Sequence, residues 1–384
     1  MGTLAEIVRG ASPRPIQDSK WFDNTSDVGW LRISDVTEQN GRIYKLEQKL
    51  SKAGQEKTRV LRKPHLLLSI AATVGKPVVN YVNTGVHDGF LIFLNPLFDR
   101  EFMFQWLEMF TSKWQKYGQP GSQVNLNSEL VRNQELRIPS TNEQEKIGTL
   151  FKQLDDTITL HQRKLDQLKE LKTAYLQVIF PVKDERVPKL RFADFEEEWE
   201  LCKLGDLANI VGGGTPNTNN PKCWDGNIDW YAPAEIKEKI YVTGSKKRIT
   251  ELGLQKSSAK VLPIGTVLFT SRAGIGNTAI LAKKGTTNQG FQSIIPNKNK
   301  LDTYFIFSRT HELKKYGEAV GAGSTFVEVS GKQMAKMPML TPRFNEQQAI
   351  GMFFKKIDDI ITLHQNKLEQ LKDLKTSYLQ NMFI

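Results

Sequence analysis

Residues 139–180 read PSTNEQEKIGTLFKQLDDTITLHQRKLDQLKELKTAYLQVIF, and residues 342–383 read PRFNEQQAIGMFFKKIDDIITLHQNKLEQLKDLKTSYLQNMF. About two-thirds of the aligned positions are identical, at a constant offset of 203 residues. Each copy follows a longer stretch of different sequence. The duplication therefore predicts a chain of two halves, each ending in the same long segment.

The repeated segment carries the signals of one long helix. Asn142 and Asn345, each followed three residues later by Glu or Gln, predict an N-cap close to a capping box. Pro139 and Pro342 stand just upstream, where a helix has not yet begun. Apolar residues then recur every three or four positions, which indicates an amphipathic helix with a coiled-coil-like seam. About 37 residues at 1.5 Å each give a rod of roughly 55 Å.

We expect the two rods to pack on each other as an antiparallel coiled coil that buries both seams; two independent surface helices are the alternative. The seam positions are also our candidates for spacing the two halves and for docking partner proteins. They are Ile147, Phe151, Leu154, Ile158, Leu165, Leu168 and Tyr175 in the first copy, and Ile350, Phe354, Ile357, Ile361, Leu368, Leu371 and Tyr378 in the second.

The net charge of +11 is distributed unevenly along the chain. Segments 142–180 and 345–383 each contain equal numbers of basic and acidic residues, so both repeated helices are neutral. Residues 1–141 hold 18 basic against 14 acidic residues, and residues 181–344 hold 24 against 17. Basic surface confined to the two variable stretches favours a polyanionic partner, most often a nucleic acid. A basic protein without such a partner is the alternative.

The variable stretches show short β-like runs separated by Gly and Asn, such as 65–70, 78–82 and 261–269. This pattern predicts two α+β modules of mixed strands and short helices. The modules are also distant relatives of each other. Leu4, Ala5, Ile7, Val8, Gly10, Ser12, Pro13, Trp30, Gly89 and Phe90 match Leu207, Ala208, Ile210, Val211, Gly213, Thr215, Pro216, Trp230, Gly290 and Phe291. We expect both tryptophans to lie in the cores.

Bulk properties exclude several classes of protein. No apolar run reaches the roughly 18 residues of a membrane span, and the N-terminal sequence lacks the pattern of a secretory signal. The two cysteines, Cys202 and Cys223, predict neither a disulfide framework nor a cysteine-based zinc site. A cytoplasmic protein that does not contact a membrane is therefore expected.

Motifs of catalysis are missing from the sequence. Residues 95–98 lack the second proline of the N-P-P-Y loop of adenine methyltransferases, and Gly75-Lys76 lacks the rest of a P-loop. Residues 274–279 fit a dinucleotide fingerprint on paper, but their sequence predicts a hairpin or loop. His161 and His364 lie in the repeated helices, and the histidine spacing predicts no metal site. An enzyme with unrecognised methyltransferase or nuclease motifs remains an alternative.

Several motifs together resemble one family. They are VPKLRF with Trp199 at 187–199, L-x-x-I-x-x-G-x-T-P at 207–216, IDWYA at 228–232, TTNQGF at 286–291 and the duplicated NEQ…ITLHQ-x-KL-x-x-LK helix. In this order, they resemble the specificity subunit of type I restriction–modification systems, over nearly the whole chain. The resemblance implies a non-catalytic subunit whose two target-recognition domains each read one half of a bipartite, asymmetric DNA site.

The resemblance also implies the organisation and the partners. Residues 1–141 would form the first recognition domain, which is short at its N-terminus relative to the second, and 142–180 a central spacer helix. Residues 181–344 would form the second recognition domain, and 345–384 a second spacer helix. The helices would set the gap in double-stranded DNA and dock two methyltransferase subunits, and a restriction subunit would join them. S-adenosylmethionine, ATP and Mg are expected on those partners, with no cofactor on this chain.

Candidate DNA contacts are hydrogen-bonding and basic side chains on predicted loops, because base edges and phosphates are read by such groups. In the first module they are Arg14, Lys20, Arg32, Lys76 and His87. In the second they are Thr215, Asn217, Lys222, Lys237, Ser271, Arg272, Asn277, Asn288 and Gln289. A coiled-coil adaptor that does not read DNA is the alternative, although it would leave the two basic, divergent modules unexplained.

Overall fold

The computed structural model describes residues 1–71, 73–114, 126–182, 185–236, 239–272, 274–321 and 328–383. It divides into two compact units. Unit 1 comprises Met1–Arg163 with Asn366–Ile384, and unit 2 comprises Lys164–Gln365. Both units combine mixed sheets with helices, which confirms the predicted α+β class. The division passes through both repeated helices, whereas the sequence-based boundaries treat each helix as a segment of its own.

The elements of unit 1 alternate short strands and helices. In chain order they are β1 Glu6–Arg9, β2 Gly29–Trp30, α1 Ile33–Glu38, β3 Arg42–Ile43, α2 Lys52–Glu56, β4 Arg59–Leu61, β5 Leu66–Ser69, β6 Pro77–Asn80, β7 Thr84–Val86, β8 Phe90–Leu94, α3 Arg100–Trp114, α4 Ser128–Asn133 and the start of α5 Thr141–Ile179.

The described strands of unit 1 form a five-stranded sheet in the order β1-β8-β5-β6-β3 and a three-stranded sheet in the order β2-β7-β4. Alternate residues of β5 point to opposite faces of the larger sheet. Leu66 and Leu68 pack towards Met103 and Leu107 of α3, and Leu67 packs with Val36 on the other face. Burial on both faces explains why β5 reads as a continuous apolar run.

Unit 2 has a corresponding list of elements. They are β9 Glu200–Lys203, α6 Leu204–Leu207, β10 Ala208–Gly212, β11 Trp224–Tyr231, β12 Tyr241–Val242, β13 Lys247–Ile249, α7 Glu251–Gln255, β14 Val267–Phe269, β15 Thr278–Leu281, β16 Thr286–Thr287, β17 Gln292–Pro296, α8 Thr303–Ser308, α9 Thr310–Gly321, α10 Gly331–Ala335, β18 Pro338–Thr341 and the start of α11 Phe344–Met382.

The larger sheet of unit 2 repeats the topology of unit 1. The larger sheet has the order β10-β17-β14-β15-β12, which matches that of unit 1 strand for strand. The smaller sheet, β13-β11-β16, shares only the parallel pair β11-β16 with unit 1, where the equivalent pair is β2-β7. The parallel pairs also correspond, since β12 pairs with β15 as β3 pairs with β6. The distant sequence relationship between the modules is therefore a duplicated fold. Unit 2 also contains the antiparallel pair β18-β9, which has no counterpart among the described strands of unit 1.

The two repeated helices, α5 and α11, are each 39 residues long. They begin at Thr141 and Phe344, so the predicted N-caps Asn142 and Asn345 lie inside the first turn and this part of the prediction is wrong. A glutamine takes over the role of fixing the helix start. The Gln144 side chain donates to the Pro139 carbonyl and accepts from the Asp99 amide, and Gln347 repeats both bonds with Pro342 and Asp302.

Within unit 1, the end of α11 packs antiparallel on the start of α5. Phe383 contacts the rings of Phe151 and Phe102 at centroid distances of 5.7 and 5.2 Å. Further along α5, at Asp155, the contact continues: Lys375 Nζ of α11 lies 2.6 Å from Asp155 Oδ1 and 2.5 Å from Glu108 Oε2. The residue numbers rise along one helix as they fall along the other, which is the predicted antiparallel arrangement.

Within unit 2, the end of α5 packs on the start of α11 in the same way. Phe180 contacts Phe354 and Phe305 at 5.9 and 5.8 Å, and Lys172 Nζ lies 2.6 Å from Asp358 Oδ1. The contact is thus present twice, with equivalent residues exchanged between the helices.

Most seam residues are buried, as a coiled coil requires. Phe151, Leu165, Leu168, Ile350, Phe354, Ile357, Ile361, Leu368 and Leu371 are buried, and Ile147, Leu154, Ile158 and Tyr175 are partly buried. Tyr378 differs, since it is 37% exposed. Among the described helices, none has the length and apolarity to cross a bilayer.

Candidate nucleic-acid interface

Two loops lie side by side at one edge of each unit. We name residues 10–20 and 213–224 loop A, and residues 87–89 and 288–290 turn B. Loop A starts with a glycine pressed against turn B. A Cβ on Gly10 would lie 2.1 Å from the His87 carbonyl oxygen, and one on Gly213 would lie 1.9 Å from that of Asn288. These are distances that only glycine tolerates, so the sequence match Gly10–Gly213 reflects a conserved approach of two backbones.

In unit 1, the side chains of loop A converge on Asp88 of turn B. The Ser12 hydroxyl donates to Asp88 Oδ1 at 2.7 Å, and Arg14 donates to Oδ2 at 2.8 Å. Arg9, just before loop A, donates to the Asp88 carbonyl. The Ser12 hydrogen bond and the nearby Arg14 and Arg9 charges hold the pKa of Asp88 below its usual value, although partial burial opposes them. The Arg14 side chain is 76% exposed and can reach beyond the carboxylate.

In unit 2, the same positions carry a different chemistry. The Thr215 hydroxyl donates to Gln289 Oε1 of turn B, in the place of the Ser12–Asp88 bond. Asn288 Oδ1 accepts a hydrogen bond from the Gly290 backbone amide at 2.8 Å. Arg272 Nε lies 3.6 Å from the point that a Cβ on Gly290 would occupy, so this guanidinium flanks turn B.

The two constellations offer different hydrogen-bonding groups on one backbone frame. Unit 1 presents an arginine and a carboxylate, whereas unit 2 presents amides and an arginine. In the major groove, arginine suits guanine, amides suit adenine and carboxylates suit the cytosine amino group. The side chains at this edge are therefore of the types that contact base edges, and they differ between the two units.

Tryptophan side chains hydrogen-bond to the backbone of loop A. Trp21 Nε1 donates to the Pro15 carbonyl at 2.9 Å, and Nε1 of the partly buried Trp224 donates to the Asn217 carbonyl at 3.1 Å. Trp230 Nε1 donates to the Gly214 carbonyl at 2.8 Å. Trp30 and Trp230 are both buried, as the sequence predicts, and Trp21 is buried as well. In each unit, loop A is thus fixed in part by a buried tryptophan.

Several predicted DNA contacts of unit 1 have side chains that are buried or paired with other residues. His87 belongs to turn B, but its ring is wedged between Trp30 and Phe90, and burial lowers its pKa. Arg32 is the N-cap residue of α1; its backbone amide donates to Asp35 Oδ2 at 2.8 Å, and its guanidinium is held in a 2.8 Å ion pair with Asp35 Oδ1. Lys20 is exposed, 2.8 Å from Asp18 Oδ2.

Lys76 completes the unit 1 candidates. It is half-buried in the turn between β5 and β6, at the position equivalent to Asn277 of unit 2.

The remaining candidates of unit 2 spread over loop A and the β14–β15 turn. Asn217 and Lys222 are exposed in loop A. Asn277 lies in the β14–β15 turn, where its backbone N–H donates to the Thr270 hydroxyl. That turn contains Gly274 and Gly276 at positive φ and leads into a strand, so the dinucleotide-like motif is a hairpin, as predicted. Ser271 is fully buried, and its Oγ has no partner among the described residues. Lys237 lies outside the described residues.

Sequence reasoning missed several polar groups at this edge. Asp88, Ser12 and Arg9 were overlooked because the sequence criterion favoured cations and amides in runs. An edge strand of the smaller sheet, with the residue next to it, is also basic in each unit. These exposed residues are Arg59 and Arg62 at β4 in unit 1, and Lys246, Lys247 and Arg248 at β13 in unit 2. For unit 2, the run of three basic residues at 246–248 is the feature of the sequence that could have indicated this basic strand.

The partner-docking candidates on the helices lie largely inside the structure. Because the seam residues are buried, a partner would meet other side chains first. Large apolar residues are exposed at equivalent positions of the two helices. Leu160 and Leu363 are 67% and 66% exposed, and Leu171 and Leu374 are 45% and 41% exposed.

Comparison with known families gives a match in both halves. The type I restriction modification DNA specificity domain matches residues 2–170 and again residues 196–373. The chain belongs to this family. Each copy of the specificity domain contains one loop A, one turn B and most of one repeated helix. The family resemblance in the sequence is thereby confirmed.

Individual relatives agree with the family. The MjaIX specificity subunit of Methanocaldococcus jannaschii is 33% identical over 191 residues, which cover 49% of this chain and 44% of that protein. The EcoR124I/EcoR124II specificity subunit of Escherichia coli is 28% identical over 208 residues, 49% of this chain and 50% of that protein. The chain therefore spans about half the length of these curated relatives.

A solved structure shares the fold of these specificity domains. The S subunit of a type I restriction–modification system from M. genitalium superposes with a TM-score of 0.66 at 14% identity. The superposition covers 100% of this chain and 94% of that one. The paired modules and long helices are thus an architecture that the family uses elsewhere.

Proposed function

We propose that the chain is the sequence-specific DNA-binding subunit of a type I restriction–modification complex. Each unit would read one half of a bipartite, asymmetric site through loop A and turn B. The observation that carries the proposal is that the same backbone arrangement of loop A and turn B occurs in both units with different polar side chains. Ser12 and Asp88 of unit 1 correspond to Thr215 and Gln289 of unit 2. Two readers of different half-sites need a common scaffold and different polar groups, and this pair supplies both.

Base-reading side chains need neighbours that hold the protein on the phosphates, since phosphate contacts set register and orientation. The basic edge strands, with Arg59 and Arg62 in one unit and residues 246–248 in the other, are suited to that role. A reader with about 6–10 phosphate contacts loses roughly 10³–10⁵ in affinity between 50 and 200 mM salt. An adaptor held by helix packing would respond weakly to salt.

The helices would set the gap between the half-sites and dock two methyltransferase subunits. The exposed, duplicated leucines support docking, because Leu160 matches Leu363 and Leu171 matches Leu374. Equivalent apolar positions on two helices suit two copies of one partner. In this proposal, adenine methylation, cleavage and their cofactors belong to the partner subunits.

Single-base mapping of methylated host DNA tests the reading role. The chain is co-expressed with its methyltransferase partner, and we expect a bipartite motif that appears only with this chain. Arg272→Ala should relax or weaken the second half-site alone, by about 1–3 kcal/mol if the arginine reads a base. Lys298→Ala is the matched control, because it removes one cation from unit 2 beyond β17, away from turn B.

Two results would contradict the proposal. One is the absence of any new methylated motif although the partner is active with another specificity chain. The other is an equal effect of the Arg272 and Lys298 substitutions on affinity and on the methylated motif. In that case, Arg272 would contribute only its nonspecific positive charge to DNA binding.

The gap is tested separately. Adding one or two helical turns near residue 163, with a matching insertion near residue 366, should lengthen the unspecified gap and leave both half-sites unchanged. An unchanged gap would refute the role of the helices as a ruler.

A further inference from the structure

Beside loop A, unit 1 contains an open cavity of about 510 Å³. Ile16, Phe22 and Trp30 form its apolar wall and belong to one packed cluster, in which Trp30 is buried and the other two side chains are partly buried. Ile16 lies in loop A, and the Trp30 ring lies 5.6 Å from the ring of His87 in turn B. The cavity therefore adjoins the edge at which loop A and turn B lie side by side.

The polar lining of this cavity consists largely of side-chain amides. Gln17, Asn24 and Gln48 line it, and none of their side chains has a hydrogen-bond partner among the described residues. The acidic lining residue, Asp23, accepts hydrogen bonds from the backbone N–H and the hydroxyl of Thr25 at 2.9 and 2.7 Å. Among the described lining residues, none is basic. The cavity thus offers free donors and acceptors to an uncharged polar group, but no cation to a phosphate.

The equivalent place in unit 2 carries other side chains. Phe22 and Trp224 each pair with the apolar residue before the N-cap of α2 or α7, and Gln48 and Lys247 each lie opposite the buried tryptophan of β2 or β11. In unit 2, the Trp224 ring packs at 89° to Trp230 with 5.1 Å between the centroids, and Lys247 Nζ lies 5.6 Å from the Trp224 centroid. A larger ring and a cation thus occupy the positions of a smaller ring and a free amide.

The groups in the cavity match the major-groove edge of an A·T base pair. Adenine presents an N6 amino donor and an N7 acceptor, which one glutamine or asparagine amide satisfies together, and thymine presents a methyl group that suits apolar contact. The Gln48 amide provides the first kind of partner, and Ile16 and Phe22 provide the second. A G·C pair has no such methyl group, and a phosphate would meet Asp23 without a compensating cation.

Gln48 is the amide whose position is best fixed. The Trp30 N–H donates to the Gln48 carbonyl at 2.8 Å, and the Gln48 side chain is partly buried, whereas Gln17 and Asn24 are exposed. A fixed position matters because recognition through two hydrogen bonds needs a side chain held close to the productive geometry. Lys247, at the equivalent position of unit 2, carries donors only and cannot accept from the adenine amino group.

We propose that this cavity is the subsite through which unit 1 reads one A·T pair of its DNA half-site. The Gln48 amide hydrogen-bonds adenine, and the thymine methyl group packs against Ile16 and Phe22. This inference rests on the proposed function, because it concerns which base pair unit 1 recognises. Unit 2, with Trp224 and Lys247, does not read adenine at the equivalent position.

The test uses the full chain in complex with its methyltransferase partner. Single-base mapping first gives the two half-sites, and affinity is then measured on duplexes in which each thymine is replaced in turn by deoxyuridine, which removes only the methyl group. We expect the replacement of one thymine of one half-site to weaken binding about 4-fold, which corresponds to one buried methyl group. This measurement needs no protein variant, so it stands even where a variant fails to fold.

Two variants assign that thymine to the cavity. Gln48→Ala should relax the methylated motif at the same base pair and reduce the discrimination against other base pairs there roughly 10- to 100-fold. Phe22→Trp, which places the aromatic side chain of unit 2 in the cavity, should abolish the effect of deoxyuridine. Gln153→Ala is the matched control, because it removes an exposed glutamine amide of unit 1 on α5 and should leave the motif and the affinities unchanged.

Three results would overturn the proposal. The first is that no thymine methyl group contributes to affinity, and the second is that Phe22→Trp leaves the effect of deoxyuridine unchanged. The third is that Gln48→Ala lowers affinity equally for every sequence and leaves the motif unchanged. In each case, a bipartite motif that depends on this chain would still support the proposed function, whereas the absence of any motif, with the partner active on another specificity chain, would refute both.

Discussion

Lys172→Met should destabilise unit 2 far more than the equivalent Lys375→Met destabilises unit 1. Both lysines pair with an aspartate of the other helix at 2.6 Å. The surroundings of the two carboxylates differ. The Asp358 side chain is 5% exposed and, besides Lys172, accepts from the Tyr304 hydroxyl at 2.9 Å. Burial and the Asp358 charge raise the pKa of Tyr304, so this donor stays protonated and neutral.

The magnitudes follow from what remains around each carboxylate. Without Lys172, the buried Asp358 charge keeps, among the described residues, the neutral Tyr304 hydroxyl as its donor, and breaking such a pair costs about 3–5 kcal/mol. Asp155 is 16% exposed and retains Arg42 at 3.1 Å and Gln105 at 2.7 Å. Burial would lower the pKa of Arg42, but Glu101 and then Asp155 outweigh it and hold that pKa above its usual value. Lys375→Met should therefore cost only about 1–2 kcal/mol.

Native-state hydrogen exchange along α5 and α11 measures the two effects in one molecule. Residues 164–180 and 344–365 report on unit 2, and residues 141–163 and 366–382 on unit 1. Lys172→Met combined with Asp358→Asn should recover most of the loss, because the amide can still accept from Tyr304 without a buried charge. Equal losses for the two lysine variants, or no recovery in the double variant, would refute the reasoning.

Three further predictions concern turn B, loop A and the exposed surface of α11. Burial lowers the pKa of His87 although Asp88 opposes it, so the stability that neutral His87 contributes is complete above about pH 6.5 and is lost as pH falls through the lowered pKa. His87→Asn, which keeps an acceptor for Gly89, should flatten the fall in the urea midpoint between pH 7.5 and 5.0; an unchanged fall would contradict this. Gly213→Ala should destabilise unit 2 by about 1–3 kcal/mol or more in urea unfolding, whereas Gly244→Ala, with nothing within 4 Å, should be nearly neutral; equal effects would refute the close approach. Leu363→Lys should change stability by less than about 0.5 kcal/mol yet reduce co-purification of the methyltransferase subunit, and unchanged co-purification would exclude this residue from docking.

Much of the fold could be predicted because the amino-acid sequence contains a helical periodicity and an internal repeat. The three-four spacing identified both helices and the buried seam, and alternating or continuous apolar runs identified β5 and β6. The axial register between α5 and α11 could not be predicted from the sequence. Periodicity shows which face of a helix is apolar, but it does not show which turn of one helix packs against which turn of the other. The Lys172–Asp358 and Lys375–Asp155 pairs fix that register and became visible only once the helices were packed.

Other errors have local causes. The predicted strand 261–269 is shortened to Val267–Phe269, because Pro263 precedes a turn in which Gly265 adopts a φ of +82°. At the candidate interface, the sequence did not show which side chains would be exposed. His87 was predicted as a DNA contact, yet its ring packs between Trp30 and Phe90 and is largely buried. Asp88 was passed over because an acid is unexpected in a basic surface.

The duplication separates what has to stay constant from what has to vary. Gly10 and Gly213 are both held by a backbone approach that admits no side chain, so neither position can drift without moving the loop. Four residues further along the chain, the constraint ends, because Arg14 of loop A corresponds to Asn217 at a position exposed in both units. A loop whose frame is fixed by glycine and tryptophan can exchange its exposed groups with little loss of stability, because surface substitutions away from the core usually change stability by less than about 0.5 kcal/mol. If loop A reads DNA as we propose, the specificity of one half could therefore change while the other half and both helices remain unchanged.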